Sequence, residues 1–162
     1  MEARAMEYHF TEFDLVLTIR RAILKLAPLA QKTNIDLEFI PPPKIPFLSA
    51  DKDRIREILD NLIGNAIKFT PDNGRIEVAC DINKEKQNVK ISIKDNGCGI
   101  QPEHLESIFL KFNQIDNGIS TRMGTGLGLS ISKHIVKAHG GEIWAESDFP
   151  NGTQLFFTLP LA

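Results

Sequence analysis

The chain has 162 residues, 42% hydrophobic and 25% charged, with 19 basic and 21 acidic side chains for a formal charge of −2, the make-up of one globular domain with an ordinary core. The slightly acidic balance argues against nucleic acid as a partner. No apolar run approaches the ~20 residues that cross a bilayer, and no secretory leader opens the chain.

Residues 1–9 carry no pattern and are expected to be a leader or linker ahead of one domain over 10–162. From Phe13 to about Ala30, apolar residues recur at spacings of three and four (Leu15, Ile19, Ala22, Ile23, Leu26), which predicts a helix. Residues 35–40 alternate as a half-buried strand does, and Pro41-Pro42-Pro43 stops them. A short strand is expected around Phe47-Leu48. Asp51 then begins the clearest helix, with Ile55, Ile58, Leu59, Leu62, Ile63, Ala66 and Ile67 on one stripe, ended by Pro71 and Asn73-Gly74. Arg75–Ile82 and Val89–Lys94 read as a β-hairpin. A glycine loop, a short helix after Pro102 and an irregular segment over 113–123 follow. A helix from about Leu127 to Ala138 precedes Gly140-Gly141, and strands near 142–146 and 153–159 finish the chain. Helices and strands in this order suggest a sheet covered on one face by helices; no parallel βαβ repeat is visible. Cys80 and Cys98 lack metal-ligand spacing and read as free thiols of a reducing compartment.

Three segments carry candidate chemistry. On the second helix, Asn61, Asn65 and Lys68 share one flank at i, i+4 and i+7. Amide oxygens suit Mg²⁺ shared with substrate phosphates, and lysine adds a point charge; a solvated polar face is the plainer alternative. Phe69 is either a core anchor or a flat surface for an aromatic ring. Asp95 enters Asn96-Gly97-Cys98-Gly99-Ile100, where a carboxylate can accept from an exocyclic amine and the glycines leave room for a base. A simple Asp-Asn-Gly turn explains the same residues. Gly124, Gly126 and Gly128 stand directly before a helical pattern, and a glycine-rich helix N-terminus favours an anion such as phosphate. The polar stretch 113–123 reads as a lid that would bring Arg122 toward a terminal phosphate, or as a surface loop with a solvated arginine. A dinucleotide-binding reading fails, because the spacing is G-x-G-x-G and no acidic ribose reader follows. No G-x-x-x-x-G-K-[ST] loop exists either.

In order along the chain stand N-x-x-x-N-A-x-K-F-T (Asn61 to Thr70), D-x-G-x-G-I (Asp95 to Ile100), F-x-K-F (Phe109 to Phe112) and G-T-G-L-G-L-S-I (Gly124 to Ile131). They resemble the N, G1, F and G2 boxes of the catalytic ATP-binding domain of sensor histidine kinases, within the superfamily of gyrase, heat-shock chaperones and mismatch-repair ATPases. The likeness extends to His139-Gly140-Gly141 and Gly152-Thr153, and so covers roughly residues 10–160.

The resemblance implies a Bergerat-type two-layer α/β sandwich: a mixed, mostly antiparallel sheet of about five strands under three main helices. Asp95 would bind the adenine amino group, Thr153 would support it through water, and Phe69 would stack on the ring. Gly97, Gly99, Ile100, Phe112, Leu127 and Leu129 would line the nucleotide, with Gly124, Thr125, Gly126 and Gly128 wrapping the polyphosphate. Asn65, with Asn61, would hold Mg²⁺, while Lys68 and Arg122 would touch phosphate oxygens. Hydrolytic relatives place a glutamate where this chain has Asn61, which cannot take up a proton at neutral pH; that favours phosphoryl transfer, with Glu57 a candidate base for an incoming imidazole. No H-E-[apolar]-[RK]-[ST]-P motif occurs. His9 and His104 read as solvated, His134 and His139 as helix-face or capping residues. The implied function is transfer of the γ-phosphoryl group of Mg·ATP to a histidine on a separate dimerisation domain, with a response regulator downstream. The alternative is a nucleotide-gated module without transfer. The implied setting is cytoplasmic without membrane contact by this part, the domain alone monomeric, and the parent kinase dimeric and optionally membrane-anchored.

Overall fold

The structure, a computed structural model, describes residues 7–110 and 128–162. The described elements run β1 (Thr11–Asp14), α1 (Leu15–Lys32), β2 (Asp36–Ile40), β3 (Phe47–Ala50), α2 (Lys52–Phe69), β4 (Arg75–Asn83) and β5 (Asn88–Asp95). Two short 3₁₀ turns, Pro102–His104 and Ser107–Phe109, lead on to α3 (Gly128–Ala138), β6 (Ile143–Ser147) and β7 (Thr153–Pro160). Five strands form one sheet in the order β2-β4-β5-β7-β6, and β1 pairs with β3 in a separate two-stranded ribbon. This is the expected two-layer α/β sandwich.

Strand alternation decides which face is covered. Ile76, Val78 and Cys80 of β4, Val89, Ile91 and Ile93 of β5, and Leu155, Phe157 and Leu159 of β7 are all buried and share one core with the helices. The opposite face carries Lys90, Lys94, Gln154 and Thr158, so the antiparallel sheet meets water on one side. Helix α2 lies between α1 and α3 and touches β5. Its Ile55, Ile58, Leu59, Leu62 and Ile63 are fully buried, each contributing about 1.5–3 kcal/mol of transfer free energy. Neither Cys80 nor Cys98 forms a disulfide, and burial pushes the Cys80 thiol up to about 12, so it stays protonated. No described helix is long and apolar enough to cross a membrane.

Two expectations shift. Phe13 fits the periodicity of the first helix, yet it lies in β1 opposite Leu48; the helix starts at Leu15, where the Asp14 side chain accepts from Leu17 N–H at 3.0 Å. The short strand at Phe47 belongs to that ribbon and not to the main sheet. One parallel pairing also exists, β2 with β4, connected by a crossover through β3 and α2.

The helix ends explain the glycines and His139. Helix α2 is capped by the Asp51 carboxylate, which accepts from Arg54 N–H at 3.2 Å and from His9 N–H at 2.9 Å. Burial raises the Asp51 pKa, but backbone N–H groups of His9, Arg54 and Asp53 outweigh it and hold the carboxyl below its ordinary value. Helix α3 closes with Gly140 N–H on Lys137 O and Gly141 N–H on Val136 O, both 3.0 Å, with Gly140 at φ 78°. His139 sits at that end, buried. Its Nδ1 donates to Ile135 O at 2.8 Å and its Nε2 accepts from Asp51 N–H at 3.0 Å, so the ring is neutral and ties the end of α3 to the start of α2. Phe10 stacks on it at 4.8 Å, and Tyr8 meets it edge-on.

A Cβ on Gly141 would run into the Thr158 carbonyl of β7, whereas one on Gly64, inside α2, would meet nothing within 4 Å. Gly141→Ala is therefore expected to lower the unfolding free energy by about 2 kcal/mol or more, and Gly64→Ala to raise it by about 0.5–1 kcal/mol. Urea denaturation of the two variants beside the wild type checks both signs.

Candidate functional site

At one end of the sheet, Asp95 closes β5 directly opposite Thr153, which opens β7. Helix α2 brings Asn65, Ala66 and Phe69 over this end, and the loop after β5 adds Cys98, Gly99 and Ile100. With Ile108, Leu129 and Leu155 they enclose a cleft of about 580 Å³, counted out to its open mouth. Its described walls are mostly apolar, and among the described residues one carboxylate, Asp95, stands in them.

Asp95 is half-buried, and burial raises its pKa from the ordinary carboxylate value. The backbone N–H groups of Gly97, 2.9 Å from Oδ1, and of Thr153 work the other way, holding the ionised form. Among the described residues no lysine, arginine or histidine forms an ion pair with it. The group is thus an oriented acceptor without a cation, suited to a neutral N–H donor on a flat ligand entering the cleft. Gly97 owes its place to crowding: a Cβ there would come within 2.5 Å of the Phe69 carbonyl and 3.0 Å of Asp95 Oδ1. That close approach brings the loop after β5 against the end of α2.

Asn65, Phe69, Asp95, Gly99, Ile100, Leu129 and Thr153, all named by the family resemblance, line the cleft together. Others stand apart from it. Asn61 Nδ2 donates to Gly128 O at 3.3 Å and to Ser132 Oγ at 3.4 Å, bridging α2 to the first turn of α3. Lys68 is exposed at the end of α2. Glu57 is ion-paired with Arg54 at 3.0 Å. Phe112, Arg122, Gly124, Thr125, Gly126 and Leu127 lie outside the described residues. His9 and His134 are exposed, His104 is half-buried, and His139 is the helix-end tie described above. Ser147 escaped sequence reasoning: its Oγ accepts from the N–H of the cleft residue Ile100 and donates to Gly152 O, both at 2.7 Å. A lone serine in a strand has no spacing to announce it.

The profile of the histidine kinase-, DNA gyrase B- and HSP90-like ATPase family matches residues 50–162. Sensor histidine kinase WalK of Bacillus subtilis (strain 168) is 42% identical over 156 residues, 95% of this chain and 26% of WalK. The nucleotide-free catalytic domain of histidine kinase ThkA superposes with a TM-score of 0.82 at 34% identity, over 94% of this chain and 95% of that one. Full-length ShkA in complex with AMPPNP gives a TM-score of 0.86 at 29% identity, over 99% of this chain and 33% of ShkA. ThkA has also been solved in complex with the response regulator protein TrrA, with a TM-score of 0.80 at 33% identity over 96% of this chain and 42% of that one. The chain therefore spans about a quarter of WalK's length.

A carboxyl whose pKa is higher folded than unfolded costs stability once it ionises, so the penalty grows as pH rises through the raised value and disappears below the ordinary one. Asp95→Asn, which keeps an acceptor for Gly97 N–H without a charge to desolvate, is expected to unfold at higher urea than the wild type at pH 7. At pH 4 its advantage should shrink. Urea midpoints at the two pH values test the sign.

Proposed function

The chain belongs to the histidine kinase-, DNA gyrase B- and HSP90-like ATPase family, as a histidine kinase catalytic domain, and we propose that it binds Mg·ATP in this cleft and presents the γ-phosphoryl group to a histidine on a separate helical domain. The observation that carries the proposal is the half-buried Asp95 carboxyl, standing in a largely apolar cleft without a cationic partner among the described residues. Its carboxylate accepts from the amino group of adenine, and a base lacking that amine leaves the acceptor unpaired, which selects against it. Phe69 and Ile100 flank the ring; Thr153 supports Asp95 from β7.

The residues at the mouth suit a hydrated Mg²⁺. Asn65 offers one amide oxygen, and among the described residues no group of three or more His, Cys, Asp or Glu could cage an ion. One amide oxygen plus phosphate oxygens and waters is a Mg²⁺ donor set. Asn65 would hold the ion, with Asn61 beside it; when bound, the ion neutralises charge on the phosphates. Lys68, one turn on from Asn65, places an ammonium near the same oxygens. Asn61 stands where a base for water would be needed and cannot take a proton, and Glu57 is held by Arg54. The domain therefore contributes alignment and charge stabilisation, while a neutral imidazole supplies the nucleophile: an N–P bond forms as the bond from the γ-phosphorus to the bridging oxygen breaks, releasing ADP. The relatives are named kinases, which favours transfer over a nucleotide-gated module. The phosphohistidine would in turn serve a response regulator, the kind of partner solved with ThkA. We place the domain in the cytoplasm, where ATP is available.

Asp95→Asn is expected to abolish ATP binding in isothermal titration, and Asn65→Ala chiefly to reduce its dependence on Mg²⁺; ATP affinity unchanged in Asp95→Asn would contradict the assignment. In the wild type, ATP at 100 times Kd should add about 2.7 kcal/mol to the unfolding free energy. Mixing the domain with a histidine-bearing dimerisation domain and γ-labelled ATP should label that histidine. Tight binding without label would leave the gated module standing.

A further inference from the structure

Asp95 Oδ1 accepts from Gly97 N–H in the loop after β5, and Asp95 stands opposite Thr153, where β7 begins after a turn from β6. The β5–β7 ladder sets that pairing, and Ser147, the last residue of β6, adds a side-chain tie between the loop and the β6–β7 turn. Its hydroxyl accepts from Ile100 N–H on the loop side and donates to Gly152 O on the β7 side, each at 2.7 Å. The one donor and one of the two acceptor sites of the hydroxyl are thereby used. Gly152 O also takes Asp148 N–H at 3.1 Å, so the β6–β7 turn closes on the same oxygen. A Cβ on Gly99 would stand 2.8 Å from Ser147 Oγ, which shows how closely the loop is drawn onto this serine.

We propose that Ser147 is a positioning residue for base recognition: its hydroxyl ties Ile100 to Gly152 and thereby steadies the loop whose Gly97 N–H orients the Asp95 carboxylate. The inference rests on the reading of the cleft as an ATP site and adds to it the residue that determines how sharply the amino group is read. Without the hydroxyl the loop loses its tie to the β6–β7 turn, and Asp95 is held less firmly by the loop. The cost then falls on ligands that use Asp95. A ligand whose base lacks the amine has no such contact to lose.

The test compares ATP with purine riboside triphosphate, whose base lacks the 6-amino group, by isothermal titration on the wild type, Ser147→Ala and Ser147→Thr, with melting temperatures alongside. Ser147→Ala is expected to weaken ATP by about tenfold, the loss typical of a hydrogen bond to a charged group, and to leave the amino-free analogue unchanged. Ser147→Thr, which keeps the hydroxyl in a residue favoured in strands, should retain the wild-type ratio. Equal losses for both nucleotides, or no loss for either, in a domain that binds ATP as wild type would overturn the role of Ser147 alone. A wild type that binds no ATP would overturn the nucleotide reading and this assignment with it.

Discussion

The organisation of this domain follows from holding one carboxyl group, oriented by the backbone, inside a largely apolar cleft. Asp95 gives up part of its hydration, gains no cation among the described residues, and is steadied by backbone N–H groups alone. That is a costly arrangement in the empty protein. It becomes favourable when a ligand brings a neutral N–H donor, so the strain on Asp95 and its selectivity have the same origin. Catalytic and binding groups with perturbed pKa values often sit in such clefts.

The rest of the structure holds the walls still around that group. Helix α2 is the scaffold, its buried stripe pressed into the core while Asn65 and Phe69 look over the cleft. Gly97 lets the loop after β5 press against the carbonyl of Phe69, and Ser147 fastens the same loop from behind. Asn61 reaches the first turn of α3 at one end, and His139 fastens the far end of α3 to the N-cap of α2. Helices α2 and α3 are thus tied at both ends of α3, one tie beside the cleft and one beside Tyr8 and Phe10.

Much of this was legible in the residues. The apolar period of α2 and the alternation of β4, β5 and β7 marked the helix and the strands, and the family resemblance named seven of the residues that line the cleft. What periodicity missed were features with no period. The strand β1 is four residues long and abuts a helix, so Phe13 read as helical although its partner is Leu48 across a ribbon. Asn61 shared a flank with Asn65 on a helical wheel, but a wheel does not show that α3 lies close enough to take its amide. Gly97 read as room for a ligand, and the structure adds a tight contact within the protein itself. Ser147 and the burial of His139 depend on contacts between distant segments, which no local pattern encodes.

The central claim concerns the protonation of a single group, and NMR titration of ¹³C-labelled aspartate carboxyls measures it directly, with Asp95→Asn identifying the signal. In the free domain Asp95 should titrate above the ordinary carboxylate range, and saturation with ATP should move it down, because a hydrogen bond from the adenine amine stabilises the ionised form. An Asp95 that titrates at an ordinary value when free, or that ATP leaves unmoved, would contradict this account.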